Sequence, residues 1–166
     1  MADVANSKLF EQIEGIRNVK DALVVLVKTE WNSEIVDSLE AGCRKVLDQY
    51  NVSCQTIVVP GAVELPFAIQ QCWASNNAPT AFIALGCVVR GDTPHFEYVC
   101  QSVTHGITEL NLLLPVPTIF GVLTVNTSEQ AKERIGGIHG HKGEEAAITA
   151  LKMMTLNQQL KEGKFR

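Results

Sequence analysis

Four apolar runs rich in β-branched residues, separated by stretches of helical periodicity, constrain this chain more than any other feature. Ala22-Leu23-Val24-Val25-Leu26-Val27, Thr56-Ile57-Val58-Val59, Ala81-Phe82-Ile83-Ala84-Leu85-Gly86-Cys87-Val88 and the segment from Thr118 to Thr124 carry the apolar character without polar alternation. Such runs suit strands covered on both faces, as in a parallel sheet. After the first, Ile35, Leu39, Gly42, Cys43 and Val46 recur at helical spacing to Asn51, with Asn32 or Ser33 as a good N-cap. Pro60-Gly61 stops the second run, and a helix is expected from about Glu64 to Ala74, with Pro66 in its tolerant first turn. Past the third, Thr93 as N-cap and Pro94 at the first helical position open a helix whose stripe is Phe96, Val99, Cys100, Val103, Ile107 and Leu110. Thr127-Ser128-Glu129-Gln130 has capping-box spacing and starts a short helix to Arg134. A glycine-rich turn over 136–143 then leads to a last helix from about Glu144 to Lys161, with Ala147, Leu151 and Met154 inward. This alternation predicts right-handed crossovers and an α/β fold, a mainly four-stranded parallel sheet between two helical layers.

The chain has 166 residues, 46% of them hydrophobic and 19% charged, enough to close one core. A single domain is expected over residues 21–166, with residues 1–20 a weakly periodic and partly ordered tail. The formal charge of −4 is scattered, and no basic run exists to follow a nucleic-acid backbone or a membrane surface. No long apolar stretch marks a secretory signal or a membrane span, so a cytoplasmic location is expected. Cys43, Cys54, Cys72, Cys87 and Cys100 are odd in number and contain no CxxC, which reads as reduced core thiols.

Ligands of open parallel sheets bind beyond the carboxyl ends of the strands. Here those ends are followed by Thr29-Glu30-Trp31-Asn32, Pro60-Gly61-Ala62-Val63-Glu64 and Val89-Arg90-Gly91-Asp92-Thr93-Pro94-His95. One rim thereby gathers an aromatic ring, a carboxylate, an imidazole and a helix N-terminus. Gly91 permits a tight backbone, free N–H groups at the helix start attract an anion, and Arg90 adds charge, an arrangement suited to a phosphate. His95 would face that anion as a proton carrier. The same residues read equally well as a plain helix start followed by a surface histidine. Trp31 is placed to stack on a flat heterocycle, although a lone Trp is more often a packing residue. Glu64 suits the hydroxyls of a polyol, or simply a favourable acid in a first turn. Phe120 is by default core. Arg134 and Lys142 flank the glycine-rich turn as a phosphate clamp, ordinary solvated charges being the commoner case.

Several other motifs fail. Gly137, Gly140 and Gly143 are spaced GxxGxxG, and Lys142 precedes Gly143 rather than Ser or Thr, so neither the dinucleotide fingerprint nor the phosphate loop is met. His139 and His141 form an HxH pair with no carboxylate or Cys pattern to complete a metal site. No GxSxG elbow points to a hydrolase.

Taken in order, Thr29-Glu30-Trp31-Asn32, Val59-Pro60-Gly61-Ala62-Val63-Glu64-Leu65-Pro66 and Leu85-Gly86-Cys87-Val88-Val89-Arg90-Gly91-Asp92-Thr93-Pro94-His95-Phe96 resemble the lumazine synthase family. Pro117-Thr118-Ile119-Phe120-Gly121-Val122-Leu123-Thr124, Glu129-Gln130-Ala131 with Arg134, and Gly140-His141-Lys142-Gly143 continue the resemblance, collinear from about Ala22 to Met154. The resemblance implies a flavodoxin-like three-layer sandwich. It also implies the condensation of 5-amino-6-(D-ribitylamino)uracil with 3,4-dihydroxy-2-butanone 4-phosphate, without metal or organic cofactor. By the same resemblance Trp31 stacks on the pyrimidine, Ala62, Val63 and Glu64 hold the ribityl chain, and Cys87, Val88 and Val89 line the ring through their backbone. His95 is similar to the proton-transfer residue, Asp92 and Thr93 border the phosphate, Arg134 pairs with it and Lys142 assists. Phe120, Arg134 and Lys142 are then expected from a neighbouring subunit of a pentamer or a pentamer-based icosahedral shell, with riboflavin synthase as a further partner. His141 stands where the family usually has Asn, Val63 where Phe is frequent, and Asp92 where the residue varies. Two rival readings are a flavodoxin-like carrier of a ribitylated heterocycle and a shell protein with a relic site.

Overall fold

A computed structural model of the chain describes residues 9, 21–75 and 79–164. The expectation of a tail over residues 1–20 lies, Leu9 apart, outside the described residues. Leu9 packs against the core, and its carbonyl accepts a hydrogen bond from Lys152.

Four strands, β1 (Leu23–Thr29), β2 (Ser53–Val59), β3 (Ala81–Val89) and β4 (Thr118–Val125), form one parallel sheet in the order β2-β1-β3-β4. Val25 pairs with Gln55 on one side and Phe82 on the other, and Ala84 pairs with Phe120. The helices are α1 (Ser33–Gln49), α2 (Leu65–Ala74), α3 (His95–Leu113), α4 (Ser128–Lys132) and α5 (Lys142–Lys161). Because side chains alternate across a strand, each central run feeds two cores. Val24 and Leu26 join Leu39, Leu47 and Leu151 in the layer of α1 and α5, while Val25 and Val27 join Leu65, Ile69 and Ile107 in the layer of α2 and α3. This double burial is why the runs lack polar alternation. Strand β2 is the exception, an edge strand on which Val58 is 52% exposed.

One glycine in each helical layer lets two helices approach closely, Gly143 between α5 and α1. A methyl on Gly143 would lie 2.1 Å from the Leu39 carbonyl oxygen, and the Cys43 thiol donates to the Gly143 carbonyl at 3.1 Å. On the other face, Gly106 of α3 lets Pro66 of α2 approach within what would be 2.4 Å of a side chain.

Several boundaries differ from expectation. A 3-10 turn at Ala62–Glu64 precedes α2, so Glu64 ends the turn and the helix begins at Leu65. Helix α3 begins at His95 rather than Pro94, yet the Thr93 hydroxyl accepts from the His95 N–H at 3.4 Å, the bond a cap would make. Only Val103, Ile107 and Leu110 of its stripe are buried; Phe96, Val99 and Cys100 are half-buried. Helix α4 ends at Lys132. Thr127 caps it through the Gln130 N–H at 3.3 Å, and the Gln130 side chain reaches back to Asn126 N–H at 2.8 Å, one residue before the cap. The stretch expected as a turn is an antiparallel hairpin of β5 (Ile135–Gly137) and β6 (Gly140–His141), and α5 starts two residues early, capped by His141.

Candidate active site

With the order β2-β1-β3-β4, the connection leaving β1 runs toward β2 and the one leaving β3 runs the other way toward β4, which opens a crevice beyond the carboxyl ends of β1 and β3. Three connections meet there. Glu30 N–H donates to the Val59 carbonyl at 2.9 Å and Trp31 N–H to the Pro60 carbonyl at 3.4 Å, binding the loop after β1 to the loop after β2. On the other side the Asn32 side-chain amide donates to the Cys87 carbonyl at 2.8 Å, closing the seam between β1 and β3. Asn32 is therefore not a side-chain cap of α1: its backbone is left-handed, φ 57, and its amide points across the sheet. Sequence reasoning missed this role. The available signal was the residue type, since Asn tolerates that conformation better than most.

On the β2 side of the crevice Trp31 and Glu64 flank one residue. A methyl on Gly61 would lie 3.0 Å from Glu64 Oε2 and 3.7 Å from Trp31 Cδ1, so a residue without a side chain separates carboxylate from indole. Trp31 is 73% exposed, so it does not take within its own chain the packing role that a lone Trp takes by default. Ala62 is half-buried and Val63 exposed on the 3-10 turn between them. Cys87 is buried, with Val88 and Val89 half-buried at the end of β3. Burial pushes the Cys87 thiol up to about 11, so it stays protonated near neutral pH.

The end of β3 turns through Gly91 into Asp92, Thr93, Pro94 and His95, all exposed. Arg90 does not face this opening as a free cation. Its Nε donates to Asn126 Oδ1 at 2.9 Å, its Nη1 pairs with Glu97, and its guanidinium lies 4.3 Å from the centre of the Phe96 ring. With Arg90 N–H also bound to the Val125 carbonyl at 2.9 Å, the side chain ties the ends of β3 and β4 to the first turn of α3, around His95. The arginine bond is also the leading cause that holds the Glu97 carboxyl below the usual carboxylate range.

Arg134 follows α4, its guanidinium donating to the Gln130 carbonyl at 2.7 Å and staying partly exposed. Phe120, in β4, is half-buried against the α2 and α3 layer. Lys142 is 3% exposed and sits on the Glu145 carboxylate at 2.7 and 3.0 Å, buried within its own chain rather than standing as a solvated charge beside the hairpin. The two histidines of the HxH pair go separate ways: His139 lies 3.8 Å from Glu133 Oε2, and His141 Nδ1 accepts from Glu144 N–H at 3.4 Å.

Residues 21–158 match the family model for 6,7-dimethyl-8-ribityllumazine synthase. The chain belongs to the lumazine synthase family. A 6,7-dimethyl-8-ribityllumazine synthase of Porphyromonas gingivalis is 50% identical over 142 residues, covering 84% of this chain and 88% of that protein. One of Parabacteroides distasonis is 48% identical over 135 residues, covering 80% and 84%, and one of Phocaeicola vulgatus is 41% identical over 156 residues, covering 92% and 90%. The lumazine synthase match runs through all four strands of the sheet and every loop of the rim.

Proposed function

We propose that this chain condenses 5-amino-6-(D-ribitylamino)uracil with 3,4-dihydroxy-2-butanone 4-phosphate at the rim, releasing 6,7-dimethyl-8-ribityllumazine, inorganic phosphate and water. The chain is an enzyme, a transferase of the penultimate step of riboflavin synthesis. The observation that carries the reading is that Trp31 and Glu64 flank Gly61, an exposed flat ring and a carboxylate side by side, the pair that a heterocycle bearing a polyol requires.

In this reading the indole of Trp31 stacks on the pyrimidine, and Glu64, with the backbone of Ala62 and Val63, takes the ribityl hydroxyls. The backbone of Cys87, Val88 and Val89 lines the ring. The phosphate meets Asp92, Thr93 and the start of α3, with Arg134 as a bidentate partner. Lys142 acts from its pairing with Glu145. The amine of the pyrimidine attacks the ketone, and water leaves as the imine forms. Phosphate departs, the resulting enol tautomerises to a ketone, and the ribitylamino nitrogen attacks that carbonyl to close the second ring with loss of a second water. His95 carries protons between these steps, and the barrier falls mainly because two reactants are held in register.

Phe67 and Tyr98 are 67% and 69% exposed on α2 and α3, beside the half-buried Phe96, Val99 and Cys100. Apolar residues so placed support a homo-oligomer in which Phe120, Arg134 and Lys142 serve a neighbour's site. The stretch from Arg134 to Gly143 resembles the short form of shell-forming members of the family, which favours a pentamer-based shell over a free pentamer. The enzyme works in the cytoplasm, where riboflavin synthase would consume its product.

The test mixes purified protein with both substrates and follows fluorescent lumazine. No product with authentic substrates ends the reading. His95→Ala should lose rate while still binding the pyrimidine; a carrier protein would be indifferent to it. Mixed oligomers of His95→Ala and Arg134→Ala should regain activity if two chains share one site.

A further inference from the structure

The hairpin that follows Arg134 is poorly equipped to hold itself. Gly136, Gly137 and Gly140 supply no side chains and lose the most backbone freedom on ordering, with φ of +117° at Gly136 and +73° at Gly140. Ile138 at its tip is 81% exposed. The His139 N–H bond to the Glu133 carbonyl at 3.1 Å holds its tip to the end of α4, and the directly paired Ile135 and His141 fix its base. Ile135 packs against the core, and the His141 ring bridges three elements. A methyl on Gly42 of α1 would lie 2.2 Å from its Cε1, one on Gly136 of β5 would lie 3.8 Å from its Cδ2, and its Nδ1 accepts from Glu144 N–H in the first turn of α5. The next residue closes the loop, since Lys142 N–H donates to the Arg134 carbonyl at 2.8 Å.

We infer that His141 is a positioning residue for the phosphate end of the site: its ring pins the hairpin to the α1 and α5 platform and thereby sets where Arg134 stands. This rests on the reading that Arg134 meets the substrate phosphate. The platform is independently rigid, through the Gly143 contact with Leu39 and the Cys43 bond, so losing the ring frees the hairpin and not the helices. The consequence is selective. Phosphate-bearing ligands lose affinity, and the pyrimidine, which in this reading is held by Trp31 and Glu64, does not.

The experiment compares His141→Ala and His141→Asn with wild type, and with Arg134→Ala as reference, in the full-length protein. Asn keeps a short acceptor for the start of α5 and lacks a ring to span Gly42 and Gly136. The measurements are KM for each substrate and the inhibition constant of inorganic phosphate. Both His141 variants should raise KM for the phosphorylated ketone and the phosphate inhibition constant by about tenfold, the scale at which an outer residue orients a binding group. KM for the pyrimidine should stay within about twofold. If Arg134→Ala raises both phosphate parameters and the His141 variants do not, or lose only kcat, the inference is overturned. If Arg134→Ala leaves the parameters unchanged, it is the reading of Arg134 that fails, and the inference falls with it. Should His141→Ala not fold, His141→Asn carries the comparison alone.

Discussion

Replacing Asn32 with Asp isolates the bond that closes the seam between β1 and β3. Asn and Asp both tolerate the left-handed backbone found here, so the exchange alters the donor and little else. At neutral pH the new carboxylate has no proton to give to the Cys87 carbonyl, which the amide meets at 2.8 Å. Asn32 is exposed, so the low end of each range applies: about 0.5 kcal/mol for the lost bond and about 1 kcal/mol for the carbonyl left unpaired. In a chain of this length each kcal/mol moves Tm by roughly 2–4 °C, which gives a loss of roughly 3–6 °C. The carbonyl disfavours the carboxylate, so the folded pKa of the new group rises above its ordinary value of about 3.9. A raised carboxyl pKa costs stability fully above the folded value and nothing below the unfolded one. The gap from wild type should accordingly narrow at pH 4, where the protonated acid again donates. Thermal melts of both proteins at pH 7 and pH 4, at equal concentration, read this directly. Equal Tm values at pH 7, or a gap indifferent to pH, would refute the role given to the seam.

Glu40 supports a second test. Burial pushes its carboxyl up, but bonds from Lys28, Thr56 and Arg44 together outweigh it and hold the group at about 2. That stabilisation is present above the ordinary value of 4.5 and is lost as pH falls through about 2. Glu40→Gln should therefore cost about 1–2 kcal/mol at pH 7, screening included, with the difference closing on acidification in denaturant titrations. Gly61→Ala should raise KM for the pyrimidine a few-fold with Tm nearly unchanged, since the Glu64 carboxylate must yield a few tenths of an ångström to a methyl 3.0 Å away; an unchanged KM would separate Glu64 from the ribityl chain. Cys87→Ala should keep most of kcat across neutral pH, because a thiol held at about 11 is protonated there, and a large loss of kcat in steady-state assays would give the sulfur a role in the chemistry.

The sheet and its two helical layers were legible because burial on both faces leaves a mark in sequence: Val24 to Val27 have no polar partner to alternate with. The edge position of β2 was not, since Thr56 to Val59 are as apolar as a central strand. The β5 and β6 hairpin escaped notice because glycines carry no periodicity, and its pairing depends on Ile135 and His141 meeting across the turn. The rim loops could be read as a gathering of polar groups beyond strand ends, but not which charges were already engaged. Arg90 looks available in a string of letters, and only the fold brings Asn126 to it from the end of β4. The partnership of Lys142 with Glu145 has the spacing of an ordinary exposed helical pair, and nothing local announces that α5 buries its first turn.

That burial limits how Lys142 can serve an anion. Swinging the ammonium outward would strand Glu145, 7% exposed, without its cation, and an abandoned charge in such a place costs about 3–5 kcal/mol. Any help Lys142 gives to a bound phosphate is delivered from a standing position, as part of a fixed field whose orientation was settled when the protein folded, and no gripping motion is required of it.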